Sequence, residues 1–269
     1  MPEGDTIYRV ARTLRQALVG ETVTDVVTAI GQVRVLGERR LVGQTVQQVE
    51  SRGKHLLIWF DPSSLALHTH MRMSGSWHLY KPEQRWRAPR HLARVRLDVP
   101  GWVAVCFAAP VVELLTAAQV RRHRTLAALG PDALGGAPDL ADARRRLDER
   151  AEWTIGEALL DQRVLAGVGN IYKNEILFLH RLDPWRSVGE IDEPTRDAVL
   201  RTAVRLLRAN VDPNGVRRVT TTAGGDGLHV YRRQRRPCPR CGQPITVARQ
   251  GDQGRLTYWC RSCQGPGPW

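Results

Sequence analysis

Lysine is nearly absent from this chain: three of its 40 basic residues are lysines (Lys54, Lys81 and Lys173), and the rest are arginine. Long apolar runs are missing too. None approaches the roughly 18 residues that a membrane helix needs, so a spanning segment is not expected. The beginning is charged from Glu3 onward and then amphipathic. It lacks the apolar stretch of a secretory signal, and the chain is expected to stay inside the cell. No internal repeat is present, which excludes a solenoid or propeller. No carboxylate cluster of the kind that a metal-dependent hydrolytic nuclease requires can be found. Cysteine is sparse, five in 269 residues, and that scarcity makes the grouping of four of them informative.

What is present is positive charge. Forty Lys+Arg against 27 Asp+Glu leave +13. The planar guanidinium fork suits phosphate better than a lysine point charge does, so nucleic acid is the leading partner. Two alternatives stand beside it: a GC-rich genome that favours arginine codons everywhere, and an anionic membrane. The second is weaker because no basic amphipathic helix stands out.

Hydrophobic spacing predicts a helix over Asp5–Leu18, with Ile7, Val10, Ala11, Leu14 and Leu18 on one face and Gly20 to stop it. From Thr22 the period changes to two. Strands are expected at Val23–Ile30, Thr45–Glu50, His55–Phe60, Leu65–Met71, Ser76–Tyr80, Ala93–Val99 and Trp102–Phe107, the last two joined by a Pro100-Gly101 turn. Many short strands with turn signals between them indicate a β-sandwich or barrel carrying a leading helix. Helical spacing returns at Ala117–Leu129, Leu140–Arg150, Thr154–Asp161, Ile171–Leu179 and Pro194–Asn210. The loop Val211–Gly227, rich in Thr and Gly, has a length usually reserved for function or mobility. The fold class is therefore α+β and multidomain: an N-terminal β-sandwich (1–115), a helical domain (116–231) and a small Cys-rich unit (232–269).

Cys238-Pro-Arg-Cys241 and Cys260-Arg-Ser-Cys263 are separated by 18 residues, the spacing of a four-cysteine zinc ribbon. Two tight turns each offer a pair of thiolates, which together close a tetrahedron at about 2.3 Å from one ion. Four thiolates leave no open position for water, so the zinc would be structural. Two disulfides are the alternative, disfavoured because this is not a small secreted chain. Cys106, in an apolar stretch, reads as a core residue. Between the pairs, Gln253–Trp259 reads as a hairpin presenting Arg255, a phosphate contact or a solvated charge.

Two further stretches carry chemistry. Met1-Pro2-Glu3-Gly4 opens many ordinary chains, and taken alone that plain reading prevails; it is also a start from which the initiator can be removed. Pro2 would then have a secondary amine titrating near pH 8, able to attack a carbonyl-like carbon and form a Schiff base, with Glu3 beside it to move a proton. The second stretch, Leu159 to Glu175, puts a compact glycine-containing turn between two helices. Amides at the start of the second helix would be free to bind a phosphate, with Asn170 and Lys173 beside them. The plain alternative makes Gly169 a C-cap and Asn170 an N-cap.

These residues together resemble the formamidopyrimidine-DNA glycosylase/endonuclease VIII family, and look most similar to its actinobacterial endonuclease VIII branch. The resemblance spans nearly the whole chain: Met-Pro-Glu-Gly, Ser51-Arg52-Gly53-Lys54-His55-Leu56, His70 to Trp77, Leu-Leu-Asp-Gln…Ala-Gly-Val-Gly-Asn, and the terminal ribbon. It implies a helix–two-turn–helix in the helical domain. It also implies a monomeric bacterial enzyme of the cytoplasm and nucleoid that acts on DNA containing oxidised bases or abasic sites, both glycosylase and AP lyase. By resemblance, Pro2 attacks C1′ and expels the base, and Glu3 shuttles the proton. Lys54 contacts phosphate and donates a proton in β-elimination; Arg255 grips phosphate and assists δ-elimination. Asn170 and Lys173 match phosphate contacts. Arg72-Met73-Ser74 aligns with the loop that fills the gap left by a flipped nucleotide, which makes Met73 a candidate wedge; a core methionine is its alternative. The chain departs from many relatives at Asp5-Thr6, where a second Pro-Glu is common. It also lacks, at Ala108-Ala109-Pro110, the Arg and Phe that formamidopyrimidine glycosylases direct at the opposite base. Oxidised pyrimidines are accordingly expected over 8-oxoguanine, with an 8-oxoguanine-preferring glycosylase and a non-catalytic zinc-ribbon DNA binder as the competing readings.

Overall fold

The computed structural model describes residues 2–28, 30–31, 40–212, 220 and 227–268. It divides into two compact units. Pro2 and residues 6–128 belong to the first, and residues 129–269 together with Glu3–Asp5 form the second.

Helix α1 (Gly4–Leu18) belongs to the first unit from Thr6 onward. Ile7, Ala11, Leu14 and Leu18 are buried, so the expected face is the one that packs. Gly20 at φ 87° ends it with a backbone that an L side chain resists. Strand β1 (Asp25–Thr28) is shorter than expected, and Ala29 lies outside the described residues. Strands β2 (Thr45–Arg52), β3 (His55–Asp61), β4 (Leu65–His70), β5 (Ser76–Tyr80), β6 (Ala93–Val99) and β7 (Trp102–Phe107) fall where alternation places them. Strand β8 (Val111–Thr116) was not expected. Its Val-Val-Glu-Leu-Leu run shows no clean alternation and passes straight into a helix, so no turn signal marks it.

The strands pair into two antiparallel sheets ordered β1-β6-β7-β5 and β2-β3-β4-β8. Val26, Val95, Leu97, Ala104 and Cys106 of one sheet pack with Val46, Leu56, Ile58, Phe60, Leu67 and Val112 of the other, as a sandwich requires. Cys106 is a core residue, its thiol pKa pushed up by burial.

The predicted helix Ala117–Leu129 is two short pieces, α2 (Ala117–Arg122) and α3 (Arg124–Ala127). Thr116 and Gln119 form a capping box at the first, worth about 1 kcal/mol. His123 breaks the run because its backbone is extended and its ring caps α3.

In the second unit the helices are α4 (Leu140–Asp148), α5 (Ile155–Ala158), α6 (Asn170–Leu179) and α7 (Glu193–Ala209). Helix α5 is one turn long instead of the eight residues expected. Strands β9 (Thr246–Gln250) and β10 (Arg255–Trp259) make an antiparallel hairpin, followed by α8 (Arg261–Gln264). Ala143, Leu147, Ile155, Leu159, Ile176 and Leu200 belong to one apolar cluster, and Phe178, Val230, Ile245 and Tyr258 to a smaller one under the hairpin. Residues 213–219 and 221–226 of the Thr/Gly-rich loop lie outside the described residues. Among the described residues no helix is long and apolar enough to cross a membrane.

Candidate active site and metal centre

Helix α6 organises the second unit. Residues 170–178 are all buried, including Asn170, Lys173, Asn174 and Glu175. A helix buried all round must find partners for its polar side chains inside the protein, and Asn170, Lys173, Asn174 and Glu175 each reach a distant segment.

Its N-terminus holds the start of the chain. Ile171 N donates to Glu3 Oε1 at 2.8 Å and Tyr172 N to Oε2 at 3.4 Å. Gly4 N donates to Gly167 O at 2.9 Å. The helix end thus presents amides and partial positive charge to a carboxylate. The amides expected to be open for phosphate are occupied, at least at 171 and 172, by Glu3. Gly169 is neither a C-cap nor left-handed: it is the N-cap of α6 in extended conformation. A Cβ there would meet Glu3 Cδ at 2.3 Å, and one at Gly4 would meet Gly167 Cα at 2.8 Å. Both glycines are required by close approach. Pro2, half-buried, is the residue covalently attached to this fixed point.

Along its side, α6 laces strand β10. Asn170 Nδ2 donates to Leu256 O at 2.8 Å, Lys173 Nζ to Thr257 Oγ1 at 2.5 Å, and Tyr258 N to Asn174 Oδ1 at 2.6 Å. Positions 170, 173 and 174 share a helix face, so three consecutive strand residues are bonded in turn. Lys173 therefore differs from the expectation of a phosphate contact beside the turn. It has no exposed surface and points inward to Thr257 and Gln250. Burial lowers its pKa to about 7; Glu3 opposes that shift and Arg255 adds to it. Arg255 opens β10 next to Leu256, half-exposed, its guanidinium donating to Gln253 Oε1 at 3.0 and 3.2 Å. The fold thus brings Glu3, Asn170, Lys173 and Arg255 into one neighbourhood.

The four cysteines converge as well. Cys238 and Cys263 Sγ are 3.9 Å apart, Cys241 and Cys260 Sγ 3.4 Å, and all four lie within 4.8 Å of one another. All four are free thiols. Sulfurs about 2.3 Å from a central ion at tetrahedral angles would be separated by about 3.8 Å, so the donor set fits one metal ion and is too open for disulfides.

Lys54, Arg72 and Met73 lie in the first unit. Gly53 (φ 57°) and Lys54 form the two-residue turn between β2 and β3, with glycine first as that turn type needs. Arg72 (φ 44°) and Met73 sit on a tight loop closed by Gly75 N donating to Met71 O at 2.8 Å. Met73 is 60% exposed, which removes the core reading, whereas Met71 is buried. The Ala108–Pro110 connection between β7 and β8 has three residues, of which Ala109 is buried.

Sequence reasoning missed Glu175. Its carboxylate accepts from Thr220 Oγ1 (2.5 Å), His229 N (2.7 Å), Val230 N (2.9 Å) and Tyr231 N (2.9 Å), with His229 Nδ1 at 2.9 Å. Burial would raise its pKa, but these hydrogen bonds outweigh burial and hold it below the usual range. Glu175 thus anchors the segment entering the ribbon. Only its place on an otherwise apolar helix face hinted at this.

The formamidopyrimidine-DNA glycosylase N-terminal domain matches residues 1–110, and the H2TH domain of the same glycosylase matches residues 129–221. The Streptomyces coelicolor protein named probable endonuclease 8 2 is 44% identical over 275 residues, covering 100% of this chain and 96% of that one. The chain belongs to the formamidopyrimidine-DNA glycosylase/endonuclease VIII family. This is a family of DNA glycosylases with AP lyase activity. A second relative, the DNA-(apurinic or apyrimidinic site) lyase Nei2 of Mycolicibacterium smegmatis, is 36% identical over 98% of this chain and 99% of its own. Among solved structures, the Lactococcus lactis family member in complex with DNA containing an abasic site superposes with TM-score 0.81 at 23% identity, covering 98% of this chain and 99% of that one. The chain therefore has the fold of the family.

Proposed function

We propose that this chain excises oxidised bases, pyrimidines in preference to 8-oxoguanine, and then nicks the DNA through an imine on Pro2. In this reading the Pro2 nitrogen loses its proton and forms a bond to C1′ as the N-glycosidic bond breaks and the base leaves; the C1′–O4′ bond then opens, O4′ taking a proton that Glu3 shuttles, and C1′ is left as an iminium on Pro2. Loss of a C2′ proton from the resulting iminium then breaks the C3′–O bond. Lys54 donates the proton in this first elimination, and Arg255 holds phosphate for the second. Asn170 contributes a phosphate contact, and Arg72 and Met73 fill the gap left by the extruded nucleotide. The four cysteines would hold one zinc ion that stiffens the ribbon carrying Arg255.

The observation that carries the proposal is the seating of Glu3 on the amides of α6. A residue clamped at position 3 leaves the amine of residue 2 little freedom, the kind of preorganisation that lowers a barrier. Preference for pyrimidines rests on the three-residue Ala108–Pro110 connection, which has no long side chain to read the opposite base, and on the endonuclease 8 relatives.

The test is borohydride trapping on duplexes bearing 5-hydroxyuracil, thymine glycol, 8-oxoguanine or an abasic site. A covalent adduct mapped to Pro2 by mass spectrometry, formed without added Mg²⁺, is expected. An enzyme that turns over with Met1 retained would overturn it, and faster release of 8-oxoguanine would reverse the lesion preference.

A further inference from the structure

In the first unit, the sheet β2-β3-β4-β8 turns Leu56, Ile58, Phe60 and Leu67 into the sandwich core. Its other face carries a group of titratable side chains among apolar ones. There His55 of β3 stands opposite His70 of β4, and His68 of β4 stands opposite Glu113 of β8. Three groups form a hydrogen-bonded line, and a fourth stands at its end. His55 Nδ1 is 2.9 Å from His68 Nε2, His68 Nδ1 is 2.8 Å from Glu113 Oε2, and His123 Nε2 is 3.2 Å from the same oxygen.

The direction of every bond in the line follows from its two ends. Leu126 N donates to His123 Nδ1 at 3.3 Å as the cap of α3. A ring nitrogen that accepts carries no proton, so the His123 proton is on Nε2, the nitrogen that faces Glu113. An ionised carboxylate only accepts, so His68 must donate from Nδ1. His68 Nε2 is then an acceptor, and His55 donates to it from Nδ1. His55 is left with its Nε2 lone pair unprotonated. The neutral state of the rings agrees: burial, with neighbouring rings and Lys54 adding, lowers His55 to about 2, and burial, with Lys54 next, lowers His70 to about 4.

His68, Glu113 and His123 are close enough to share a metal ion. A metal on His123 Nε2 would need the proton moved to Nδ1, which the α3 cap occupies. The hydrogen-bonded line therefore describes these residues better than a second metal centre does.

The line ends at the roots of two loops. His55 follows Lys54 directly, and its ring packs on His70 at 4.4 Å between centroids. His70 in turn precedes the Met71–Gly75 loop that bears Arg72 and Met73. We infer that Glu113 and His68 are positioning residues for this family's reaction: through the His55 ring they fix the lysine turn and the Arg72–Met73 loop in one arrangement. The inference rests on the role given to Lys54 above.

Its test uses the full-length, metal-loaded protein with Glu113→Ala and the gentler Glu113→Gln. Long-range ¹⁵N NMR of the wild type should find His55 and His68 protonated at Nδ1 and His123 at Nε2. In a folded Glu113 variant the amide signals of Lys54 and Arg72 should move. Single-turnover β-elimination on a preformed abasic site should slow about tenfold, as expected when a proton donor is misplaced, while the Kd for that duplex stays within about twofold. His68 protonated at Nε2, a second equivalent of zinc lost in His123→Ala, or a wild-type elimination rate in both Glu113 variants would each overturn the inference. Failure of wild-type protein to give a borohydride adduct would instead sink the Pro2 reading, leaving the tautomers and amide shifts to judge the line on their own.

Discussion

Between the two sheets of the first unit, space is filled by Leu56, Ile58, Phe60, Leu67, Leu97 and Cys106, with Thr69 bonded to Trp77. Inside the second unit, Asn170, Lys173, Asn174 and Glu175 stand in a row on one buried helix. The first interior is held by area removed from water and by close packing, which specify shape and little else. The second has apolar clusters of its own and adds, along α6, polar bonds whose partners are far away in the chain; a buried polar group is costly as soon as its partner leaves. The difference separates a scaffold from a fastening: the sandwich supports loops, whereas α6 ties the chain start, the ribbon hairpin and the segment before the ribbon to one rod.

Two substitutions of similar cost should expose that difference through pH. Phe60→Ala leaves a cavity and is expected to cost about 3–5 kcal/mol. Glu175→Ala strands several buried donors and is expected to cost about 3–5 kcal/mol near neutrality. Because the folded pKa of Glu175 is depressed, its contribution is complete above the unfolded carboxylate pKa and fades as pH falls through the folded value. In urea melts, the Glu175→Ala deficit should shrink toward acid while the Phe60→Ala deficit stays level. Parallel pH curves would erase the distinction.

Gly169→Ala sharpens the same point with one methyl group. Its Cβ would fall on the Glu3 carboxylate, and overpacking of this kind costs about 1–3 kcal/mol. Adduct formation should fall well beyond that loss of stability, because Pro2 moves with its neighbour. Trapping yield compared at matched folded fraction checks this.

Lys173→Met is expected to have the smallest effect, and its sign should vary with pH. The folded pKa of Lys173 lies near 7, below its unfolded value. The cost of burying the charge is therefore complete below pH 7 and is relieved as pH rises toward the unfolded value. Relative to wild type, Lys173→Met should be most stable in mild acid and lose that advantage between pH 7 and 10. A gap in Tm that does not change with pH would mean that Lys173 is not titrating there.

The sandwich was legible because alternation and turn residues are local signals. Residues 76–80, 93–99 and 102–107 match their strands end for end. The cysteine pairs were legible from spacing. Strand β8 was not, since its pairing with β4 decides it, and the break at His123 was hidden because it depends on a ring acting as a cap. At the site, the residue types at Glu3, Asn170 and Arg255 were readable, but not their bonding. That Glu3 would take the amides of α6, that Lys173 would turn inward, and that Glu175 would gather Thr220 and residues 229–231 all depend on contacts dozens of positions apart, to which periodicity is blind.

Because α6 grips residue 3 at its tip and strand β10 along its flank, a displacement at either place is shared by the same stiff cylinder. A spin label or fluorophore on the exposed turn at Asp252 would therefore sense whether the first residues of the chain are engaged, without any probe near the chemistry.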